Sequence, residues 1–122
     1  MENATILVVD DTPDNLSLIS GLLKDTWKIK VATGGEKALK IAATEPQPSL
    51  ILLDIMMPEM DGFEVCQKLK ADPGTQAIPV IFLSAKSEAS DQAKGLALGA
   101  VGYITKPVDP VGLLTEIRKV LA

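Results

Sequence analysis

The chain has few aromatic residues, a single cysteine, no long apolar run and no surplus of positive charge, and each shortage excludes something. Four rings in 122 residues (Trp27, Phe63, Phe82 and Tyr103) leave the core to be built from aliphatic side chains. They are also too few for a platform on which nucleic-acid bases stack. Cys66 cannot form an internal disulfide and fits a reducing compartment. No apolar stretch approaches the roughly 20 residues of a membrane span, and the N-terminus lacks the pattern of a secretion signal. Sixteen acidic residues against twelve basic ones give a net charge of −4. Such a surface repels phosphate backbones, which argues against nucleic-acid binding. A soluble, cytoplasmic domain is expected.

What is present suffices for one core. With 47% hydrophobic and 23% charged residues the chain is neither disordered nor fibrous. A chain of this size buries about two-thirds of its extended surface, so residues 1–122 are expected to form a single domain without staples.

Three short runs are almost purely aliphatic: Ile6–Val9, Leu50–Leu53 and Val80–Leu83. They do not alternate with polar residues, so each is expected to be a strand covered on both faces, as in a parallel sheet. Weaker strands are expected at Lys28–Ala32 and Gly102–Thr105. Between them lie segments of helical spacing, whose inward stripes read Leu16, Ile19 and Leu23; Ala38, Leu39 and Ala42; and Val65 and Leu69. Two more read Ala93, Leu96 and Ala97, and Leu114, Ile117 and Leu121. Thr33 and Asp61, each followed three residues later by Glu, predict helix caps. Thr12-Pro13 and Asp109-Pro110 predict two more. Pro46, Pro48, Pro73, Gly74 and Pro79 fall between elements. The pattern is five alternating strand–helix units, which implies a parallel sheet with helices on both faces.

The polar residues sit at the strand ends. Asp10 and Asp11 follow the first strand, Asp54 the third and Ser84 the fourth, while Thr105 and Lys106 close the fifth. Ligands of open α/β sheets bind outside these ends, where the strand order reverses. Any one of these residues alone is an ordinary cap, turn former or solvated lysine; their coincidence is what points to a site. Two carboxylates about 5 Å apart repel by roughly 3 kcal/mol at an effective dielectric of about 20. Three would force one to take up a proton unless a cation were present. A hard, oxygen-only site with room for water is what Mg²⁺ prefers. With a lysine beside it, the set describes phosphoryl transfer to a carboxylate.

In these residues the chain resembles the response-regulator receiver domains of two-component signalling, from Ile6 to Leu121. The resemblance rests on the pair Asp10-Asp11, the run from Leu53 through Asp54 and Pro58 to Gly62, Ser84-Ala85 and Lys106-Pro107. It implies a flavodoxin-like five-stranded parallel sheet in the order 2-1-3-4-5. It also implies that Asp54 accepts a phosphoryl group from a sensor histidine kinase or a histidine phosphotransfer protein. Asp11, Asp54 and the main-chain carbonyl of Met56 would hold Mg²⁺ directly, with Asp10 acting mostly through water. Lys106 would contact the phosphoryl oxygens, and its bond to Pro107 is expected to be cis. Ser84 would move toward the phosphoryl group and vacate space for Tyr103, changing the surface of the fourth helix, fifth strand and fifth helix. That surface would meet a downstream protein or fused output domain, and the family habit of dimerising through the fourth and fifth helices is carried with it. Met56 and Lys86 flank the phosphoryl site.

Other features read more plainly. Met56, Met57 and Met60 are expected to pack the loop rather than bind a soft metal. Cys66 is expected to be a small, semi-buried hydrophobe, and Trp27 to sit away from the pocket. Gly34-Gly35 lacks the lysine and hydroxyl of a phosphate-binding loop. Two rival functions are weighed. A phosphatase with an aspartyl-phosphate intermediate would carry an Asp-x-Asp motif after its first strand, where this chain has Asp10-Asp11-Thr12. A pseudo-receiver that signals by docking alone would usually lack the acceptor or the lysine. Slow self-phosphorylation and dephosphorylation, rather than enzymatic turnover, is the expectation.

Overall fold

The computed structural model describes residues 4–85 and 89–121. Ten elements alternate along the chain: β1 (Thr5–Val9), α1 (Pro13–Leu23), β2 (Lys28–Ala32), α2 (Gly35–Ala42), β3 (Leu50–Asp54), α3 (Gly62–Ala71), β4 (Val80–Ser84), α4 (Ala89–Ala97), β5 (Gly102–Thr105) and α5 (Pro110–Leu121). All pairings in the sheet are parallel, in the order β2-β1-β3-β4-β5. This is the flavodoxin-like arrangement.

The aliphatic runs become the three central strands, and every residue of β1, β3 and β4 is buried. The edge strands β2 and β5 are only half-covered, which accounts for their weaker sequence signal. Side chains leave the sheet on alternate faces and form two cores. On one face Leu7, Ile51, Leu53 and Phe82 pack with Ala38, Val65, Cys66 and Leu69. On the other, Ile6, Leu50, Leu52 and Ile81 pack with Leu16, Ile19, Leu23, Leu113 and Ile117. Trp27 belongs to this second core, away from the strand-end crevice as expected. Cys66 is fully buried rather than half-buried, and burial pushes its thiol pKa up.

The helix ends match the sequence unevenly. Asp61 caps α3 by accepting the Glu64 N–H at 2.9 Å, and the Asp109 carboxylate accepts the Gly112 N–H at 3.2 Å. Thr12 is the N-cap of α1 without a side-chain cap bond, and its own N–H donates to Asp10 Oδ1 at 2.9 Å. The N-cap of α2 is Gly34, one residue after the expected Thr33, again without a side-chain bond. At the end of α4, Gly99 takes a positive φ of 105° while Ala100 N–H reaches back to Gly95 O, the left-handed helix ending that glycine permits.

Two stripes are corrected. On α4 the expected inward residues Ala93, Leu96 and Ala97 are all exposed, and Gly95 is the buried one. A Cβ on Gly95 would lie 2.8 Å from the Phe82 ring, so this glycine lets the helix backbone rest directly on β4. Periodicity counts side chains and cannot register a contact made by having none. On α5 the buried set is Leu113, Ile117 and Leu121, with Leu114 partly covered.

Candidate functional site

Strand order reverses across β1: the chain leaves it for β2 on one side and returns through β3 on the other. The crevice beyond their carboxyl ends receives Asp10 and Asp11 from the loop after β1 and Asp54 from the last position of β3. The register places Asp54 beside Leu83 and Ser84 beside Thr105, so β4 and β5 end at the same level. One carboxylate oxygen from each of Asp10, Asp11 and Asp54 lies within 4.8 Å of the others. Asp10 and Asp54 are buried, while Asp11 is more open.

Lys106 enters from the loop after β5, anchored by its N–H to Ser84 O at 2.8 Å, and its bond to Pro107 is cis as expected. Its ammonium lies 2.8 Å from Asp10 Oδ2 and 3.6 Å from Asp54 Oδ1. Asp10 is the more fully engaged acid: Oδ1 accepts the Thr12 N–H at 2.9 Å, and Oδ2 also accepts the Asn15 amide at 3.3 Å. Asn15 carries no sequence signal beyond its place in the first turn of α1, since an asparagine there reads as an ordinary helix-start residue.

Burial raises the Asp54 pKa, Lys106 opposes this, and the neighbouring Asp10 and Asp11 charges add to the rise; the Ile55 N–H partly offsets it. With these oxygens within 4.8 Å of one another, each like-charged pair costs at least about 3 kcal/mol at an effective dielectric of about 20. The cluster is therefore a good fit for a hard divalent cation: three oxygen donors close together, one of them accessible, and an acid whose ionisation the protein itself disfavours. It could bind a metal.

The loop from Ile55 to Asp61 closes this site on one side. Gly62 N–H and Met57 N–H both donate to Ile55 O, and a Cβ on Gly62 would overlap the Asp54 carbonyl oxygen. Met57 is buried, but the Met56 side chain is 58% exposed, so it does not pack the loop as expected. With Asp11, Asp61, Asp91 and Lys94, Met56 borders a groove of about 520 Å³ beside the acids. Lys86 lies outside the described residues.

Ser84 is fully buried at the end of β4 and shares a side-chain hydrogen bond with Tyr103. Tyr103 is half-buried, with its ring 6.0 Å from that of Phe82. Its pKa is raised, chiefly by burial, which the bond to Ser84 partly offsets and the charges of Asp91 and Asp54 increase.

A topology of this kind with acids at the β1 and β3 ends defines a doubly wound α/β domain with an acidic cluster at the strand ends that could hold a metal ion. Residues 6–118 match the family model described as the response regulator receiver domain, and the chain belongs to that family. It is 44% identical over 117 residues to the response regulator PleD of Caulobacter vibrioides, a match covering 95% of this chain and 26% of PleD. It is 49% identical over 108 residues to a Vibrio cholerae protein named as a probable cyclic di-GMP phosphodiesterase, covering 88% of this chain and 24% of that one. The chain thus spans about a quarter of the length of both relatives. Among solved structures it is similar to the chemotaxis protein CheY4 of Vibrio cholerae, with a TM-score of 0.87 at 27% identity over 97% of this chain and 98% of that one. Receiver domains of two-component signalling work with histidine kinases, and both relatives carry further sequence beyond the matched part. Among the described residues no helix is long and apolar enough to cross a membrane.

Proposed function

We propose that this receiver is a phosphorylation-controlled switch in which Asp54 accepts a phosphoryl group from a phosphohistidine. The observation that carries the reading is the convergence of buried Asp54 with two further acids and the Lys106 ammonium, 3.6 Å away. These 122 residues contain no histidine, so the donor lies outside them, on a sensor histidine kinase or a histidine phosphotransfer protein. An Asp54 carboxylate oxygen attacks phosphorus, the P–N bond breaks, and the imidazole leaves with its electron pair and is protonated. Asp11, Asp54 and the main-chain carbonyl of Met56 would hold Mg²⁺, with Asp10 contributing through water. Bound there, the ion supplies charge neutralisation for the transferring oxygens. Lys106 shifts from Asp10 toward the new phosphoryl oxygens.

Phosphorylation adds roughly −1.5 to −2 charges and three acceptor oxygens. The Ser84 hydroxyl has one donor and two acceptor positions, so it can donate to a phosphoryl oxygen while keeping Tyr103 as a partner. Drawing Ser84 toward Asp54 pulls on the tyrosine and on α4. That helix is free to answer, since it buries only Gly95. The exposed Leu96 and Val101, with Val111 at the start of α5, support this face as the surface that meets a downstream protein or fused output domain, and as one on which two copies can pair.

A phosphatase reading has less support, because the strand-end nucleophile stands on β3 rather than in an Asp-x-Asp after β1. A docking module without phosphorylation has no use for both Asp54 and Lys106. The test is intact mass after incubation with Mg²⁺ and acetyl phosphate, beside a metal-free sample and Asp54→Asn. One added phosphoryl group, absent from both controls, is expected. An adduct surviving in Asp54→Asn would mean that another carboxylate is the acceptor.

A further inference from the structure

We propose that Asn15 is a positioning residue: its side-chain amide holds the Asp10 carboxylate so that Lys106 is shared between Asp10 and Asp54 instead of being captured by Asp10. This deepens, and rests on, the reading of Asp54 as acceptor. Asn15 stands in the first turn of α1, and its amide reaches back five residues to Asp10 Oδ2 at 3.3 Å. The same oxygen accepts Lys106 at 2.8 Å, while Oδ1 is taken by the Thr12 N–H. Three donors from three different places thus fix the plane of one buried carboxylate.

The neutral donor matters because of what it does to the ion pair beside it. A carboxylate oxygen has about two lone-pair directions, and on Oδ2 these face Asn15 and Lys106. The amide draws on part of the charge that the lysine would otherwise have to itself, and it keeps Oδ2 turned toward α1 and Lys106. Oδ1 keeps one lone-pair direction beyond the one taken by the Thr12 N–H. Lys106 is consequently held firmly enough to be in place, yet 3.6 Å from Asp54 Oδ1, a short step from any group built there. Asn15 and Lys106 also border one small depression of about 220 Å³ with Leu18, Ile19, Pro107 and Val108. A charge placed at position 15 would therefore act directly on the lysine.

The experiment compares the wild type with Asn15→Ala and with Asn15→Asp, which keeps the shape but replaces the donor by a like charge. In metal-free protein the side-chain NMR signals of Lys106, assigned with a Lys106→Arg control, are expected to move in both variants. At saturating Mg²⁺ and acetyl phosphate, phosphorylation is expected to slow by about tenfold in Asn15→Ala, less than the roughly hundredfold that a 1 Å misplacement can cost. Calorimetry is expected to find its Mg²⁺ affinity changed by less than about twofold, since no charge is lost. Asn15→Asp is expected to split the two readouts, binding Mg²⁺ more tightly while transferring more slowly than Asn15→Ala. Unchanged Lys106 signals and wild-type transfer rates in both variants, with only a lowered melting temperature, would reduce Asn15 to a structural support of α1. A wild type that takes up no phosphoryl group would sink the acceptor reading instead, and the Lys106 signals would still decide the role of Asn15.

Discussion

Lys106 lies nearer to Asp10 than to Asp54: its ammonium is 2.8 Å from Oδ2 of the first acid and 3.6 Å from Oδ1 of the second. The two acids share one cation, and the one that holds it less closely is the one whose charge burial disfavours. Asp54, the proposed phosphoacceptor, is thereby kept partly unsatisfied, while Asp10 keeps the lysine at hand.

Removing the shared ammonium should have opposite effects on folding and on metal. Lys106→Ala leaves Asp10 and Asp54 facing each other without it, and a loss of about 1–2 kcal/mol is expected in urea unfolding at neutral pH without metal. The same variant is expected to bind Mg²⁺ more tightly than the wild type in calorimetry, because a competing positive charge has gone. Weaker metal binding would mean that the lysine helps to build the cation site rather than opposing it.

The Asp54 carboxyl gives a pH dependence of definite sign. Its folded pKa is raised above the ordinary 3.8, first by burial, so the folded state holds the proton more tightly than the unfolded chain does. The stability linked to that proton is fully present below 3.8 and is lost as pH rises through the folded value. Asp54→Asn is therefore expected to melt higher than the wild type at neutral pH in a chelator. That gain should shrink once the wild-type acid is protonated; an equal gain in acid and at neutrality would exclude burial of the charge as its cause.

Two glycines should differ in their tolerance of a methyl group. In Gly62→Ala the new Cβ meets the main-chain carbonyl of Asp54 and the Ile55 Cα at 2.8 Å, neither of which can step aside. A cost of about 3 kcal/mol, with impaired phosphorylation, is expected. In Gly95→Ala the obstacle is the Phe82 ring, and α4 carries few other buried contacts. The helix can lift, and alanine favours it by about 1 kcal/mol, so a smaller net loss is expected together with altered Tyr103 ring signals. Urea midpoints of the two variants check the order.

Much of the fold was legible because burial is written in composition. Ile6–Val9, Leu50–Leu53 and Val80–Leu83 are aliphatic throughout, and only a strand covered on both faces needs that. The site was legible for a related reason: Asp10, Asp11, Asp54, Ser84 and Lys106 each interrupt the chain just where an aliphatic strand stops. The reading failed where the contact depends on a neighbour. Ala93, Leu96 and Ala97 have the spacing of an inward stripe, but the helix turns Gly95 to the sheet because the Phe82 ring fills the space a side chain would need. Thr33 looks like a cap, yet α2 begins after Gly34.

The sequence by itself determined the alternation of strands and helices, the two-sided burial of the central strands, and which acids, hydroxyl and lysine end up at the strand ends. These follow from local periodicity and from the position of a residue relative to its own strand. Only the tertiary structure decided how the charges are partnered: Lys106 with Asp10 across 96 residues, Asn15 on the same oxygen, and Ser84 with Tyr103. Hydrogen bonds and ion pairs act over about 3 Å, and which groups come that close is set by strand order and packing rather than by spacing along the chain.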